Sequence, residues 1–348
     1  MGTMKALVYH GPGDIRLETR PIPSPAAGEV LIKVKGVSIC GSDLGAYRLH
    51  EVSDRWQPPI VLGHEFSGEI TGLGEGVQNF SIGEPVTANP ILYCGKCYYC
   101  KHGQINLCPN RYSVGTSIGG IRHDGAMQEY LTVRSSAVIH LLDGVSFKQG
   151  ALMEPLAVSF CAASMGDKGE SERVAIIGAV PIGLMILKFL KASVNRQVFV
   201  SDVLPGRLDF AKSVGADEVI DGHEDVISRV AALTEGVGAD RIVIAAGVPG
   251  VLEQSLQMVR NGGNIVLVAL MHQKVHLDLI PIVARQISLL GSYMFTDEIK
   301  KVMALVAKKQ VLVDDLITSE HPLSDGVEVF KDLVKPDCKD IKVILTNN

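Results

Sequence analysis

Apolar positions change their rhythm once along the chain, near Gln149. Before it they alternate with polar ones or run in short blocks: Ala6–Tyr9, Glu29–Val37 and Phe66–Thr71. Pro21, Pro23, Pro25, Gly28, Gly72, Gly74, Gly76 and Gly83 separate the blocks. A period of two between turn residues predicts short strands, and a series of them predicts a barrel-like β domain. No helical period is legible there. From Gln149 the spacing turns helical, with Leu152, Leu156, Phe160 and Ala163 recurring. Strands are then predicted at Val174–Ile177, Val198–Val200, Asp217–Ile220, Arg241–Ala246, Asn264–Ala269 and Ile287–Leu290. Helices fall between them, at Leu184–Leu190, Arg207–Val214, His223–Leu233 and Leu252–Val259. Such alternation predicts a parallel sheet with covered faces. The tail reads as helices at Asp297–Lys308 and Asp325–Lys331, flanked by strands at Leu316–Thr318 and Lys342–Leu345. It is expected to rejoin the first domain. The predicted divisions are 1–153, 154–294 and 295–348, with the working cleft between domains.

The stretch from Glu172 to Asp202 organises the second half: strand, tight turn, helix, strand, acid. Gly178 and Gly183 let the backbone approach a pyrophosphate, and the helix start offers it N–H groups. Asp202, 24 residues after Gly178, suits the ribose hydroxyls and repels a 2′-phosphate, favouring NAD over NADP. The middle glycine of the usual fingerprint is Val180, which holds the backbone slightly farther off. A doubly wound sheet with a different site is the alternative. Arg207 is placed either near the ribose or simply on the surface. Gly247–Val248, Ala269–Leu270 and Gly291–Met294 follow strand ends, where ligands bind in such sheets.

Charge removes two classes of partner. The 348 residues carry a net charge of −5 with no long basic run, so no nucleic acid is expected. No apolar run is long enough for a membrane span. Four of seven cysteines fall within 15 residues and no export signal is evident, a pattern that means metal rather than disulfide. Cys94, Cys97, Cys100 and Cys108 fill a tetrahedral shell, so their ion is structural; zinc is expected. Iron–sulfur is the alternative, but the last interval does not match C-x3-C-P. Cys40 (SICGSD) and His64–Glu65 (VLGHEF) follow strand ends and offer zinc-ligand types from separate loops, which suits a metal with an open position. Glu154 sits between Met153 and Pro155, and a carboxylate in that apolar setting needs a partner. It is either a further group at this metal or a helix-start acid.

These motifs together resemble the zinc-dependent medium-chain dehydrogenases over essentially the whole length. GHEFSGEI (63–70), CGSD (40–43) and the cysteine lobe (90–112) carry the likeness. MEPLAV (153–158) resembles the sorbitol, butanediol and threonine dehydrogenase branch. The resemblance implies a Rossmann NAD-binding domain and a discontinuous GroES-like catalytic domain. It implies two zinc ions per chain: one structural, one catalytic on Cys40 and His64 with Glu65 or Glu154 as third ligand. NAD would meet Val180, Pro181, Ile182 and Gly183 at the pyrophosphate, Asp202 at the ribose and Leu270 near the nicotinamide. Ser42 would accept the substrate proton. The family's relay histidine is Gly45 here, so the proton would leave through cofactor ribose, water, His50 or Tyr47. A cytoplasmic homotetramer or homodimer is implied. The expected reaction takes hydride from a secondary hydroxyl of a polyol or diol, with a sugar-alcohol phosphate left open. Threonine-type oxidation and a non-catalytic cofactor-binding relative are the alternatives. Tyr47, Arg48, Trp56, Arg285 and Phe295 are expected near the substrate.

Overall fold

The structure is a computed structural model that describes residues 2–50, 52–117, 122–167, 169, 171–192, 195–271 and 274–347. It divides into two compact units. The first comprises Met1–Glu154, Ile299–Lys309 and Leu316–Asn348; the second comprises Pro155–Glu298 and Gln310–Asp315.

The first unit is built on a seven-stranded sheet. Its main path runs Val138–His140, Pro85–Ala88, Glu65–Leu73, Glu29–Ser38, Lys342–Thr346, Ile317–Pro322, with Tyr130–Arg134 also pairing onto Glu29–Ser38. The Glu29–Ser38 strand buries alternate residues Val30, Ile32 and Val34, the period-two pattern its sequence carries. A three-stranded sheet places Thr3–Gly11 between Asp14–Pro21 and Ile60–Val61. Leu7, Tyr9, Ile32, Phe66, Ile70, Met127 and Phe330 are fully buried in this unit. The tail contributes Lys342–Thr346, antiparallel to Glu29–Ser38 and parallel to Ile317–Pro322.

Two helices appear where no helical period is legible, Gly41–Arg48 and Tyr98–Lys101. The first buries only Asp43 and Ala46, so it has no apolar stripe to read. A capping box starts it: the Cys40 side chain receives backbone N–H and Asp43 returns to the Cys40 N–H.

The second unit is a six-stranded parallel sheet ordered Glu218–Asp221, Gln197–Asp202, Arg173–Ile177, Ala239–Ile244, Val259–Leu267, Ser288–Gly291. This is the doubly wound dinucleotide order, reversing at Arg173–Ile177. Val174, Ile176, Val198, Val200, Ile242 and Ile244 are buried to the last few per cent, as strands covered on both faces require. The helix predicted from His223 starts later, at Val226, because Asp225 caps it by accepting the Ser228 N–H at 3.0 Å. Arg241 and Glu172 form a fully buried ion pair at 2.7 Å. Among the described residues no helix is long and apolar enough to cross a membrane.

Candidate active site

Cys40 is held as a helix N-cap, and its sulfur accepts the Ser42 N–H at 3.5 Å. His64 and Glu65 stand at the start of Glu65–Leu73. Neighbouring residues can both face one point because Gly63 turns the chain at φ +94°, where an added Cβ would also meet the Met127 side chain at 2.9 Å. One ligand atom each from Cys40, His64 and Glu65 lies within 4.8 Å of the others. A thiolate, an imidazole and a carboxylate at that spacing fit zinc with a position left open. Glu154 is buried at 7% exposure but does not join the group. Burial, with Glu65 and Asp43 adding to it, pushes its carboxyl up to about 7.

Asp43, which the motif reading passed over, is fully buried. It accepts the Cys40 N–H at 3.0 Å and the Gly63 N–H at 3.4 Å, and lies 3.8 Å from His64 Nδ1. With Nδ1 on the Asp43 side, a metal held by His64 would take Nε2. Burial works against a charged His64, but Cys40 and Asp43 outweigh it and push its pKa well up. The available signal for Asp43 was its place at the third position after a capping residue. The second group missed is Lys342, whose Nζ donates to Glu65 Oε2 at 2.5 Å. A single lysine in a predicted strand carries no comparable signal. The Ser42 hydroxyl is buried without a hydrogen-bond partner.

The four-cysteine lobe is compact. Sulfur separations are 3.4 Å for Cys97–Cys100, 3.6 Å for Cys94–Cys108 and 3.9 Å for Cys94–Cys100. Backbone N–H groups of Lys96 and Cys97 lower the Cys94 thiol to about 6. Tyr93, Tyr98, Tyr99 and Leu107 are exposed, so the loop has little core of its own. Four sulfurs around one point with no packed core fit a closed structural zinc.

In the second unit Asp202 accepts the Ala179 N–H at 2.8 Å and the Leu204 N–H at 3.0 Å, with Arg207 3.8 Å away. Its carboxylate is thus joined to the turn after Gly178. Val180 sits at the N-cap of Pro181–Lys191 with φ −78° and ψ 165°, ordinary extended backbone that does not need glycine. No side chain caps this helix. The first-turn N–H groups of Ile182 and Gly183 lack intrahelical acceptors, a cradle that fits a pyrophosphate. Leu270 is 59% exposed beyond the Val259–Leu267 strand.

Two of the residues expected around the substrate are otherwise engaged. Arg285 donates to Asn261 Oδ1 and to the carbonyls of Leu256 and Val259, and Phe295 is fully buried. Neither is available to a ligand. Arg48 donates to the Leu333 carbonyl, Tyr47 packs edge-on against Phe330, and Trp56 lies under the Arg55 guanidinium. Large or charged side chains were legible as such; their partners were not.

Two family models match, an alcohol dehydrogenase GroES-like domain over residues 26–143 and a zinc-binding dehydrogenase over 181–308. Sorbitol dehydrogenase of Bacillus subtilis (strain 168) is 32% identical, covering 99% of this chain and 98% of that protein. D-arabitol-phosphate dehydrogenase of Enterococcus avium is 32% identical with the same coverage. The crystal structure of an Escherichia coli CFT073 alcohol dehydrogenase complexed with NADH superposes with a TM-score of 0.92 at 29% identity, covering 100% of both chains. Aligned over nearly its whole length with such relatives, the chain belongs to the zinc-dependent medium-chain alcohol and polyol dehydrogenases and is an enzyme of that family.

Proposed function

We propose that the protein oxidises a secondary hydroxyl of a polyol or diol to a ketone, with NAD as acceptor and two zinc ions per chain. The observation that carries this reading is the partly buried Cys40–His64–Glu65 donor group beside a Ser42 hydroxyl with no partner. Bound there, zinc supplies Lewis acidity that lowers the pKa of a substrate hydroxyl, and NAD supplies the hydride acceptor. Asp43 orients His64 and, through the Cys40 N–H, the thiolate segment. Ser42 Oγ accepts the substrate proton while its own O–H proton passes on to the cofactor ribose, water, His50 or Tyr47. Glu154, buried and easily protonated, stands by as a second carboxyl that can hold a water or a second substrate oxygen. A vicinal diol offers that second oxygen, which favours polyols over simple alcohols. Asp202 holds the adenosine ribose, with Arg207 beside it, and the N–H groups of Ile182 and Gly183 hold the pyrophosphate, flanked by Val180 and Pro181. Leu270 is assigned to the nicotinamide side. The sorbitol and arabitol-phosphate relatives support this substrate class and leave phosphorylation open.

We assign the protein to the cytoplasm, whose reducing poise keeps the lobe thiols available to metal. We further propose a homodimer or homotetramer. The Ser288–Gly291 strand is an open sheet edge, and Leu279, Ile280 and Val283 just before it are exposed, a surface that a second copy would cover. The test of the activity is an NAD-linked oxidation screen over diols, sugar alcohols, their phosphates and threonine, run with Cys40→Ser alongside. Activity on polyols or diols that vanishes in Cys40→Ser is expected. Turnover of threonine alone, or no turnover with two zinc ions bound, would sink the reading.

A further inference from the structure

The least expected group beside the donor cluster is an ammonium. Lys342 opens the Lys342–Thr346 strand and only 2% of it remains exposed. Lysine is almost never buried so completely without a partner. Its Nζ makes two hydrogen bonds, to Glu65 Oε2 at 2.5 Å and to the Ile39 carbonyl at 3.1 Å. Ile39 immediately precedes Cys40, and Glu65 immediately follows His64. One side chain therefore ties together the two segments that carry the donors. The backbone repeats the tie. The Ile39 N–H donates to the Val343 carbonyl at 3.0 Å, and Ser38 stands opposite both Ile344 and Glu65 in the sheet.

With Oε2 committed to Lys342, Glu65 keeps Oε1 for another partner. A carboxylate ligand held in this way is fixed in direction, which is what an outer hydrogen bond does for a metal site. Charge makes the same demand. Glu65, Asp43 and Glu154 are all buried, and Lys342 is the buried cation whose charge reaches Glu65 and Glu154. The other buried cation among the described residues, Arg241, is spent on Glu172.

We propose that Lys342 is a positioning residue for the catalytic metal: held in place by the Ile39 carbonyl, it aims Glu65 and so sets the metal affinity of this site alone. The inference rests on the reading of Glu65 as a ligand. The experiment titrates zinc from the full-length protein with a competing chelator. Wild type is expected to hold two ions per chain. Lys342→Met is expected to weaken one of them by about 10- to 100-fold and leave the four-thiol ion, an internal control, unchanged. Lys342→Arg, which keeps the charge, is expected to recover part of that loss. Only one ion in wild type, the four-thiol one, would sink the Glu65 reading itself. Two ions in wild type with unchanged affinity in Lys342→Met would overturn this inference while sparing that reading. Loss of both ions together would also overturn it, since that is a folding effect. If Lys342→Met leaves an unpaired buried carboxylate and does not fold, the neutral pair Lys342→Met/Glu65→Gln takes its place. Affinity equal to that of Glu65→Gln alone supports action through Glu65; a further drop counts against it.

Discussion

Ser42 carries a hydroxyl that is buried and bonded to nothing, an arrangement that costs stability unless a substrate completes it. Ser42→Ala should therefore fold normally and lower kcat/KM by about 100-fold, the usual scale for a positioned proton acceptor; steady-state kinetics checks this. Asp202→Ala should erode the preference for NAD over NADP by about tenfold, since charge-assisted hydrogen bonds are worth that much. Unchanged selectivity would remove the ribose role. Glu154 sets a pH dependence in the metal-free protein. Its folded carboxyl lies at about 7 against an ordinary value of 4.5, so the folded state holds the proton over a range where the unfolded chain has lost it. Unfolding free energy should fall as pH rises from about 4.5 to about 7, by about 3 kcal/mol in all, and Glu154→Gln should flatten the slope. Denaturant titrations at several pH values measure it. At this scale the sequence disclosed groups whose chemistry is rare. Cys40, His64, Glu65 and the four lobe cysteines stand out by type and spacing. Asp43 and Lys342 do not, because an aspartate after a cap and a lysine in a strand are commonplace until a fold buries them. Arg285 misled for the complementary reason: a guanidinium near a strand end says nothing about which carbonyls it will find.

Among elements, the turn from Gly178 into the Pro181–Lys191 helix has little slack. A Cβ on Gly183 would come within 2.1 Å of the Gly178 carbonyl oxygen. Gly183→Ala should cost about 2 kcal/mol, as overpacking does, and should weaken NADH binding measured by fluorescence more than it lowers the melting temperature. The lobe is held differently. With Tyr93, Tyr98, Tyr99 and Leu107 in solvent, an ion held by its four thiols would replace a core. Cys97→Ser should reduce zinc from two ions per chain toward one and shorten the thermal half-life, with little change in kcat while the chain stays folded. Retention of both ions would show the lobe assignment to be mistaken. Period-two strands and the strand–helix alternation were legible because burial on one or both faces writes itself into the order of residues. Gly41–Arg48 was not, since an eight-residue helix started by a cap and burying two side chains leaves no period to find.

For the whole molecule, the exposed Leu279, Ile280 and Val283 beside an open strand edge give the proposed oligomer a test. Ile280→Asp with Val283→Asp should shift sedimentation toward the monomer without changing zinc content. The order of the chain has a further effect. Lys342–Thr346 lies between Glu29–Ser38 and Ile317–Pro322, yet it comes after every other described strand in the chain. Until Thr346 has left the ribosome, a nascent polypeptide lacks an interior strand of its seven-stranded sheet and the ammonium that faces Glu65. Loading of a metal on Cys40, His64 and Glu65 then has to wait for that strand, whereas the cysteine loop, complete by residue 108, can capture an ion while the rest is being made.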